Sequence, residues 1–292
     1  MSKVSKPWLI RLGLSLPLLI AAVYLYGRLH QASEPKALHQ TTLYNRIPIL
    51  LFHNIDGPGR YAISRHEFRQ YLEIIKNENI QIISLKTLHE MMLKNQAATT
   101  PSMVITIDDD YKNIARIAAP MLREYGYPAT FFVYTGQISH RPQEGMAWDD
   151  LRRLQKEGFD VQSHSHSHTA FHEPYHGESD DDYAKRVDTE VVMSRRILEE
   201  NLGHTIWCFA YPMGYKSAYI EKRLKEAGYE LVLTTDARPA DTTMQYHGSL
   251  DRFTIQQGPD PWGLFASQVS LAKRALKDSE LTLQAPTNNP TP

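Results

Sequence analysis

The sequence has 292 residues, of which 42% are hydrophobic and 22% are charged, enough for one large folded domain or two ordinary ones. Its formal net charge of −1 provides neither a basic field for nucleic acid nor an acidic surface for a basic partner. The single cysteine, Cys208, cannot form an internal disulfide, so the fold must depend on its core and on any bound metal. Composition therefore argues against a nucleic-acid partner and leaves the oligomeric state open.

The N-terminal segment resembles a membrane anchor. The basic residues Lys3 and Lys6 precede a stretch over 8–26 in which Arg11, near its start, is the one charged residue. That stretch is long enough to cross about 30 Å of hydrocarbon as a helix. A cleaved signal peptide is the alternative, but the residues that follow lack a clean small-x-small cleavage site. We predict a single-pass signal anchor over 1–30, with the N-terminus cytoplasmic and the folded domain periplasmic or extracellular.

Strand-like and helix-like runs alternate between a polar tether at 31–45 and a tail at 277–292 that is predicted to be disordered. The strand-like runs cover 47–52, 80–85, 103–107, 130–134, 160–162, 206–211 and 231–234. The helix-like runs cover 64–79, 114–125, 148–157, 183–202 and 218–227. Such alternation implies parallel strands joined by right-handed crossovers, and about seven units predict a distorted (β/α) barrel over 46–276. A doubly wound open sheet is the alternative, and both folds place chemistry at the C-terminal ends of the strands.

Three carboxylates directly follow the predicted strand at 103–107. They are Asp108, Asp109 and Asp110, and like charges this close together raise one another's pKa. A divalent metal would relieve this repulsion. The alternative is a solvated loop that caps the next helix.

A histidine-rich run follows the predicted strand at 160–162. In an extended chain His164 and His168 would lie about 13 Å apart, too far for one metal, at about 3.3 Å per residue. The chain must therefore turn if both bind one ion, and His166 would then point elsewhere. One Asp and two His with an open position for water are typical of catalytic zinc. A polar loop that binds metal incidentally is the alternative.

Together these motifs resemble the NodB-homology polysaccharide deacetylases, carbohydrate esterase family four. The family motif Thr-Phe-Asp-Asp-Gly is similar to residues 106–110, and His-Ser/Thr-x-x-His is similar to residues 164–168. A third motif, Phe-Ala-Tyr-Pro-x-Gly, is present at 209–214. Residues 49–55 resemble the opening strand of the branch that acts on poly-N-acetylglucosamine exopolysaccharide. The resemblance covers residues 47–256 and implies a distorted barrel of the NodB type.

The resemblance also implies a function. A metal-dependent hydrolase of this family removes N-acetyl groups from an amino-sugar polymer, which here would be poly-N-acetylglucosamine-type exopolysaccharide, peptidoglycan or a chitin-like chain. Asp109, His164 and His168 would hold the metal, most readily Zn²⁺, with Co²⁺ or Ni²⁺ as alternatives. Asp108 would be the general base for the attacking water, and the backbone N–H of Met213 would stabilise the oxyanion.

Three further residues would line the sugar or acetyl pocket by the same resemblance, namely His53, Trp148 and Tyr211. The sequence also departs from the family pattern. Asp110 stands where the family has glycine, although Asp tolerates a left-handed backbone better than most residues. Ala210 replaces the arginine that orients the base. The Leu-x-His motif that supplies the general acid has no clear match, and His247 is a weak candidate for that role.

Two hypotheses from other classes compete with the enzyme. One is a catalytically inactive carbohydrate-binding module on the same fold that assists polysaccharide assembly or export, which the missing arginine and acid would favour. The other is a surface protein that scavenges metal, which would need more ligand-rich sequence. The complete set Asp108, Asp109, His164 and His168 favours the enzyme.

Overall fold

A computed structural model describes residues 42–141, 143–244, 249–258 and 260–275. The predicted signal anchor at 1–30, the predicted tail at 277–292 and His247 lie outside these residues. Within the described ranges, no helix is both long and apolar enough to span a bilayer.

The centre of the fold is a parallel β-sheet. Its hydrogen-bonded order is β10-β8-β7-β6-β5-β4-β2-β11, with β3 pairing beside β4, and a separate antiparallel pair joins β1 to β9. The strands are β1 Arg46–Ile47, β2 Ile49–Phe52, β3 Gln81–Ile82, β4 Ser102–Asp108, β5 Thr130–Val133, β6 Asp160–Ser163, β7 Cys208–Ala210, β8 Leu231–Leu233, β9 Ala240–Asp241, β10 Ser249–Leu250 and β11 Phe253–Thr254.

One short segment provides both ends of this sheet. Leu250 in β10 pairs with Leu233 in β8, whereas Phe253 in β11 pairs with Leu50 in β2, both in parallel. The sheet therefore begins and ends within residues 249–254, a connectivity that agrees with the predicted distorted (β/α) barrel. These two strands were not predicted from the sequence because each is only two residues long.

Helices cover the outer face of the sheet. They are α1 Arg65–Asn77, α2 Leu85–Leu93, α3 Ala119–Tyr125, α4 Trp148–Lys156, α5 Asp180–Asp188, α6 Ser194–Leu202, α7 Ala218–Glu226 and α8 Pro261–Ala272. Ser64 caps α1 in a capping box with Glu67. The helix predicted over 183–202 is in fact α5 and α6 joined by a π-helical turn, Thr189–Met193. The predicted strand at 80–85 shortens to Gln81–Ile82 because Ser84 caps α2.

The strands are buried on both faces. Successive side chains along each strand point alternately into the barrel and out toward the helices. Val104 belongs to the inner apolar cluster, while Ile105 and Ile107 pack outward against the helices. Because side chains alternate along a strand, Asp108 shares the inner face with Val104. The same alternation places His53, which follows β2, on the inner face of the sheet together with Ile49. Both polar side chains therefore meet at the C-terminal mouth of the barrel.

Candidate functional site

A cavity of about 250 Å³ opens at the C-terminal ends of the strands. It is lined by every predicted site residue except Trp148, namely His53, Asp108, Asp109, His164, His168, Tyr211 and Met213. Trp148 begins α4 and packs, half-buried, against the core. The structure thus gathers residues from β2, β4, β6 and β7 around one opening.

Asp109, His164 and His168 form a candidate metal centre. One ligand atom from each residue lies within 4.8 Å of the others. His168 Nε2 is 3.3 Å from Asp109 Oδ1. Ligand atoms about 2.0–2.1 Å from a tetrahedral zinc are themselves about 3.3 Å apart, so this pair has the spacing of two ligands on one ion.

The ring of His164 is oriented for metal binding. Its Nδ1 lies 2.8 Å from the carbonyl oxygen of Ala210. A carbonyl only accepts, so Nδ1 carries the proton and the lone pair of Nε2 faces the cavity. Asp109 Oδ1 is buried and has no hydrogen-bond partner among the described residues, which a cation would correct. The three residues therefore fit a divalent metal.

The chain turns between the two histidines as predicted. The ring centroids of His164 and His168 are 4.8 Å apart. Ser165 and His168 adopt left-handed backbone conformations, with φ of 75° and 58°. His166 points away from the ligands, and its Nδ1 lies 2.8 Å from Thr135 Oγ1.

The two neighbouring carboxylates have opposite electrostatic surroundings. Burial, followed by the charges of Asp108 and Asp110, raises the pKa of Asp109 to about 7 in the metal-free protein. For Asp108, burial alone would raise the pKa, but the Arg252 guanidinium and the His164 ring outweigh it and hold the pKa below its ordinary value. Asp108 is therefore ionised at neutral pH, whereas Asp109 needs a cation to remain so.

This difference predicts how metal affinity varies with pH. Burial lowers the pKa of His164 to about 3, so that ligand stays neutral and does not compete for protons near neutrality. Asp109 must lose its proton to bind zinc. As the pH increases toward about 7, the zinc affinity should therefore rise about tenfold per pH unit, and above pH about 7 it should become constant. Chelator-competition titrations between about pH 5.5 and about pH 8 measure this slope. An affinity that does not change across this range would contradict the assignment of Asp109.

Arg252 is a site residue that sequence reasoning missed. Its side chain is fully buried and donates to both carboxylate oxygens of Asp108, at 2.6 and 2.7 Å. Its Nε also donates to the carbonyl oxygen of Thr234 at 3.1 Å. Arg252 lies in the link between β10 and β11, and it makes to Asp108 the contact that the resemblance leads us to expect from an arginine at the position of Ala210. The available signal was an arginine within the segment 250–255, which also contains Leu250, Phe253 and Ile255. Arginine is rarely buried without a partner, so a strand here would have implied one.

Asp110 does not face the metal ligands as an extra free charge. It is fully buried and accepts from Arg141, which also donates to the hydroxyl of Tyr134 at 2.6 Å. The Tyr134 ring lies 5.1 Å from that of His168, and the carbonyl of Asp110 accepts from Met146 at 2.7 Å. The left-handed backbone expected at Asp110 falls on Asp109 instead, with φ of 74°. Asp110 therefore fastens the loop after β5 to the site.

Comparison with known proteins matches the segment that carries the three candidate metal ligands. A family model described as polysaccharide deacetylase matches residues 95–232. The Bacillus subtilis (strain 168) protein YxkH, provisionally named a polysaccharide deacetylase, is 21% identical over 73% of this chain and 72% of its own. The poly-beta-1,6-N-acetyl-D-glucosamine N-deacetylase of Staphylococcus aureus (strain MSSA476) is 23% identical over 58% of this chain and 59% of its own. The structure of IcaB from Ammonifex degensii superposes with a TM-score of 0.67 at 21% identity, covering 77% of this chain and 97% of that one. This last likeness shows a shared fold.

Proposed function

We propose that this chain, whose residues 95–232 match a family model described as polysaccharide deacetylase, hydrolyses the N-acetyl groups of an amino-sugar polymer with the help of a divalent metal. The observation that carries this proposal is a single cavity in which an ionised, arginine-held carboxylate adjoins the Asp109, His164 and His168 ligand set. A metal held there supplies a Lewis acid that lowers the pKa of water and polarises an amide carbonyl.

Asp108 is the general base in this proposal. Its Oδ2 lies 3.6 Å from Nε2 of His164, directly beside the ligand atoms. Two hydrogen bonds from Arg252 fix the plane of the carboxylate and keep it ionised. Asp108 therefore takes a proton from the attacking water without first having to be deprotonated itself. The backbone of Met213, at the cavity rim with φ of 56°, is proposed to direct its N–H toward the oxyanion.

His53 is the proposed proton donor to the leaving amine. It lies in the same cavity as Asp108, and its ring stacks on Tyr61 with the centroids 4.9 Å apart. Burial lowers the pKa of His53 to about 4, although the charge of Asp108 opposes this. The ring is thus neutral at rest. In this proposal Asp108 passes the proton that it takes from the water to the neutral ring of His53. His53 then gives that proton to the amine nitrogen as the carbon–nitrogen bond breaks, so the cycle needs no external acid.

Replacing His53 by glutamine is expected to lower kcat about a hundredfold, since a positioned proton donor contributes roughly 10²–10⁴ to the rate. Zinc affinity should stay unchanged because the metal ligands remain intact. Steady-state kinetics with a parallel zinc titration check both statements. A rise in KM with unchanged kcat would instead show that His53 only binds substrate.

We propose poly-N-acetylglucosamine of the β-1,6-linked type as the substrate. The resemblance of residues 49–55 to that branch and the S. aureus relative support this choice. The test compares acetate release from β-1,6-linked oligomers, β-1,4-linked chitin oligomers and peptidoglycan fragments. We expect the highest kcat/KM with the β-1,6-linked oligomers, and a clear preference for either of the others would reject this assignment.

The competing inactive binding module had two observations in its favour, the missing arginine and the missing acid. Arg252 now supplies a guanidinium to Asp108, and His53 supplies an imidazole to the cavity. We therefore retain the enzyme as the single proposal.

We also propose that residues 1–30 anchor it in the cell membrane with the domain outside the cytoplasm. The chain should then remain in the membrane pellet after carbonate washing, and its release would reject the anchor.

A further inference from the structure

Glu190 is a buried carboxylate that lies directly behind the metal-binding turn. It belongs to the π-helical turn Thr189–Met193 between α5 and α6 and is 3% exposed. π-Helical turns inside α-helices often occur at functional sites. Neither the resemblance nor the proposed mechanism gives this residue a role.

The carboxylate of Glu190 accepts three hydrogen bonds from the middle of the turn. Its Oε2 accepts from the backbone N–H of His166 at 2.9 Å and of Ser167 at 2.8 Å. Its Oε1 accepts from the hydroxyl of Ser167 at 2.5 Å. Both residues lie between the ligands His164 and His168, so Glu190 holds the segment that sets their separation.

The two histidine ligands differ in how they are fixed. The ring of His164 is buried and donates a hydrogen bond to the carbonyl oxygen of Ala210. The side chain of His168 is 30% exposed, and its backbone N–H donates to Ser165 Oγ at 3.1 Å. The position of His168 therefore depends on the turn, which contains two left-handed non-glycine residues. Such conformations persist only where surrounding contacts hold them.

We infer that Glu190 is a positioning residue that sets the metal affinity of the site by fixing the turn between His164 and His168. The inference rests on the proposed function only through its metal centre. Outer contacts that orient metal ligands typically contribute about 10–100-fold to metal affinity. The charge of Glu190 strengthens each bond, because charge-assisted hydrogen bonds are roughly twice as strong as neutral ones.

The test measures zinc affinity in the full chain by chelator competition, together with the absorption spectrum of the Co²⁺-loaded protein. Glu190→Met removes all three acceptor contacts, and we expect zinc affinity to fall about 10–100-fold with an altered Co²⁺ spectrum. Glu190→Gln keeps an acceptor of the same shape, and we expect it to recover most of the affinity while staying several-fold below the wild type.

Glu178→Met is the matched control. The side chain of Glu178 is 11% exposed and accepts from Arg186 and from the backbone N–H of Tyr175, away from the metal-binding turn. We expect this variant to lose stability in a thermal melt but to bind zinc like the wild type. An equal loss of affinity in Glu178→Met would mean that general destabilisation explains the effect, which would overturn the inference.

A folded Glu190→Met protein with zinc affinity within about twofold of the wild type would also overturn the inference, given the expected loss of about 10–100-fold. If Glu190→Met does not fold, Glu190→Gln decides, and an unchanged affinity in that variant rejects the role. The titration needs no substrate, so the two proposals can fail separately. Wild-type protein that binds zinc but releases no acetate would refute the proposed function and leave the role of Glu190 intact.

Discussion

Replacing Asp108 by asparagine is expected to lower kcat by about 10²–10⁴-fold while zinc stays bound. Asparagine keeps the shape of the side chain but cannot take a proton from water. The ligands Asp109, His164 and His168 are unchanged, so the metal affinity should remain near that of the wild type. Acetate-release kinetics and a zinc titration on the same preparation measure the two effects.

This substitution has a structural side effect that needs a control. Arg252 is fully buried, and in Asp108→Asn its guanidinium loses its charged partner. Leaving one member of a buried ion pair unpaired typically costs about 3–5 kcal/mol of stability. The double variant Asp108→Asn with Arg252→Met removes that charge and should recover stability without recovering turnover. Turnover that returns in the double variant would contradict the role of Asp108, and so would a wild-type kcat in the Asp108→Asn variant.

Replacing Arg252 by methionine is expected to destabilise the protein by about 3–5 kcal/mol, because Asp108 then becomes the unpaired buried charge. Arg252 also holds the pKa of Asp108 down, so its removal raises that pKa. Asp108 acts as a base only when ionised. The acid limb of the pH profile of kcat/KM should therefore move to higher pH, and pH-rate measurements on the metal-loaded variant show it.

Arg141→Met is the matched control for this prediction. Arg141 pairs with Asp110, the carboxylate two residues from Asp108, and its side chain is 31% exposed. Its loss should also cost stability, to a smaller extent since the pair is partly solvated. The acid limb should move little because Arg141 does not contact Asp108. An acid limb that moves equally in both variants, or in neither, would contradict the specific role of Arg252.

Much of the fold follows from local sequence signals. Strands such as Ser102–Asp108 are buried throughout and consist mostly of apolar residues, and α3 ends at Gly126, which has a left-handed conformation. The elements missed are β9, β10, β11 and α8. The three strands are too short to show a period, and α8 begins from the Asp260 cap with mixed apolar and polar residues on all sides. These elements depend on long-range pairing, which one sequence does not reveal.

The site residues likewise fall into those that local motifs predict and those that only long-range contacts reveal. Asp108, Asp109, His164 and His168 were predictable because motifs at strand ends carry them, and the strands bring them together. Arg252 is 144 residues from its partner Asp108 in the chain, and Glu190 is 24 residues from the backbone it holds. No local pattern connects such pairs. Only the folded barrel shows that each supports a motif residue.

The most direct test of a metal-dependent deacetylase is acetate release from N-acetylglucosamine oligomers by the full chain before and after metal removal. The protein is stripped with chelator, assayed, and assayed again after zinc is restored to one ion per chain. We expect release to stop on stripping and to return with zinc. Release that survives complete stripping, or its absence from the zinc-loaded protein with every oligomer, would contradict the proposed function.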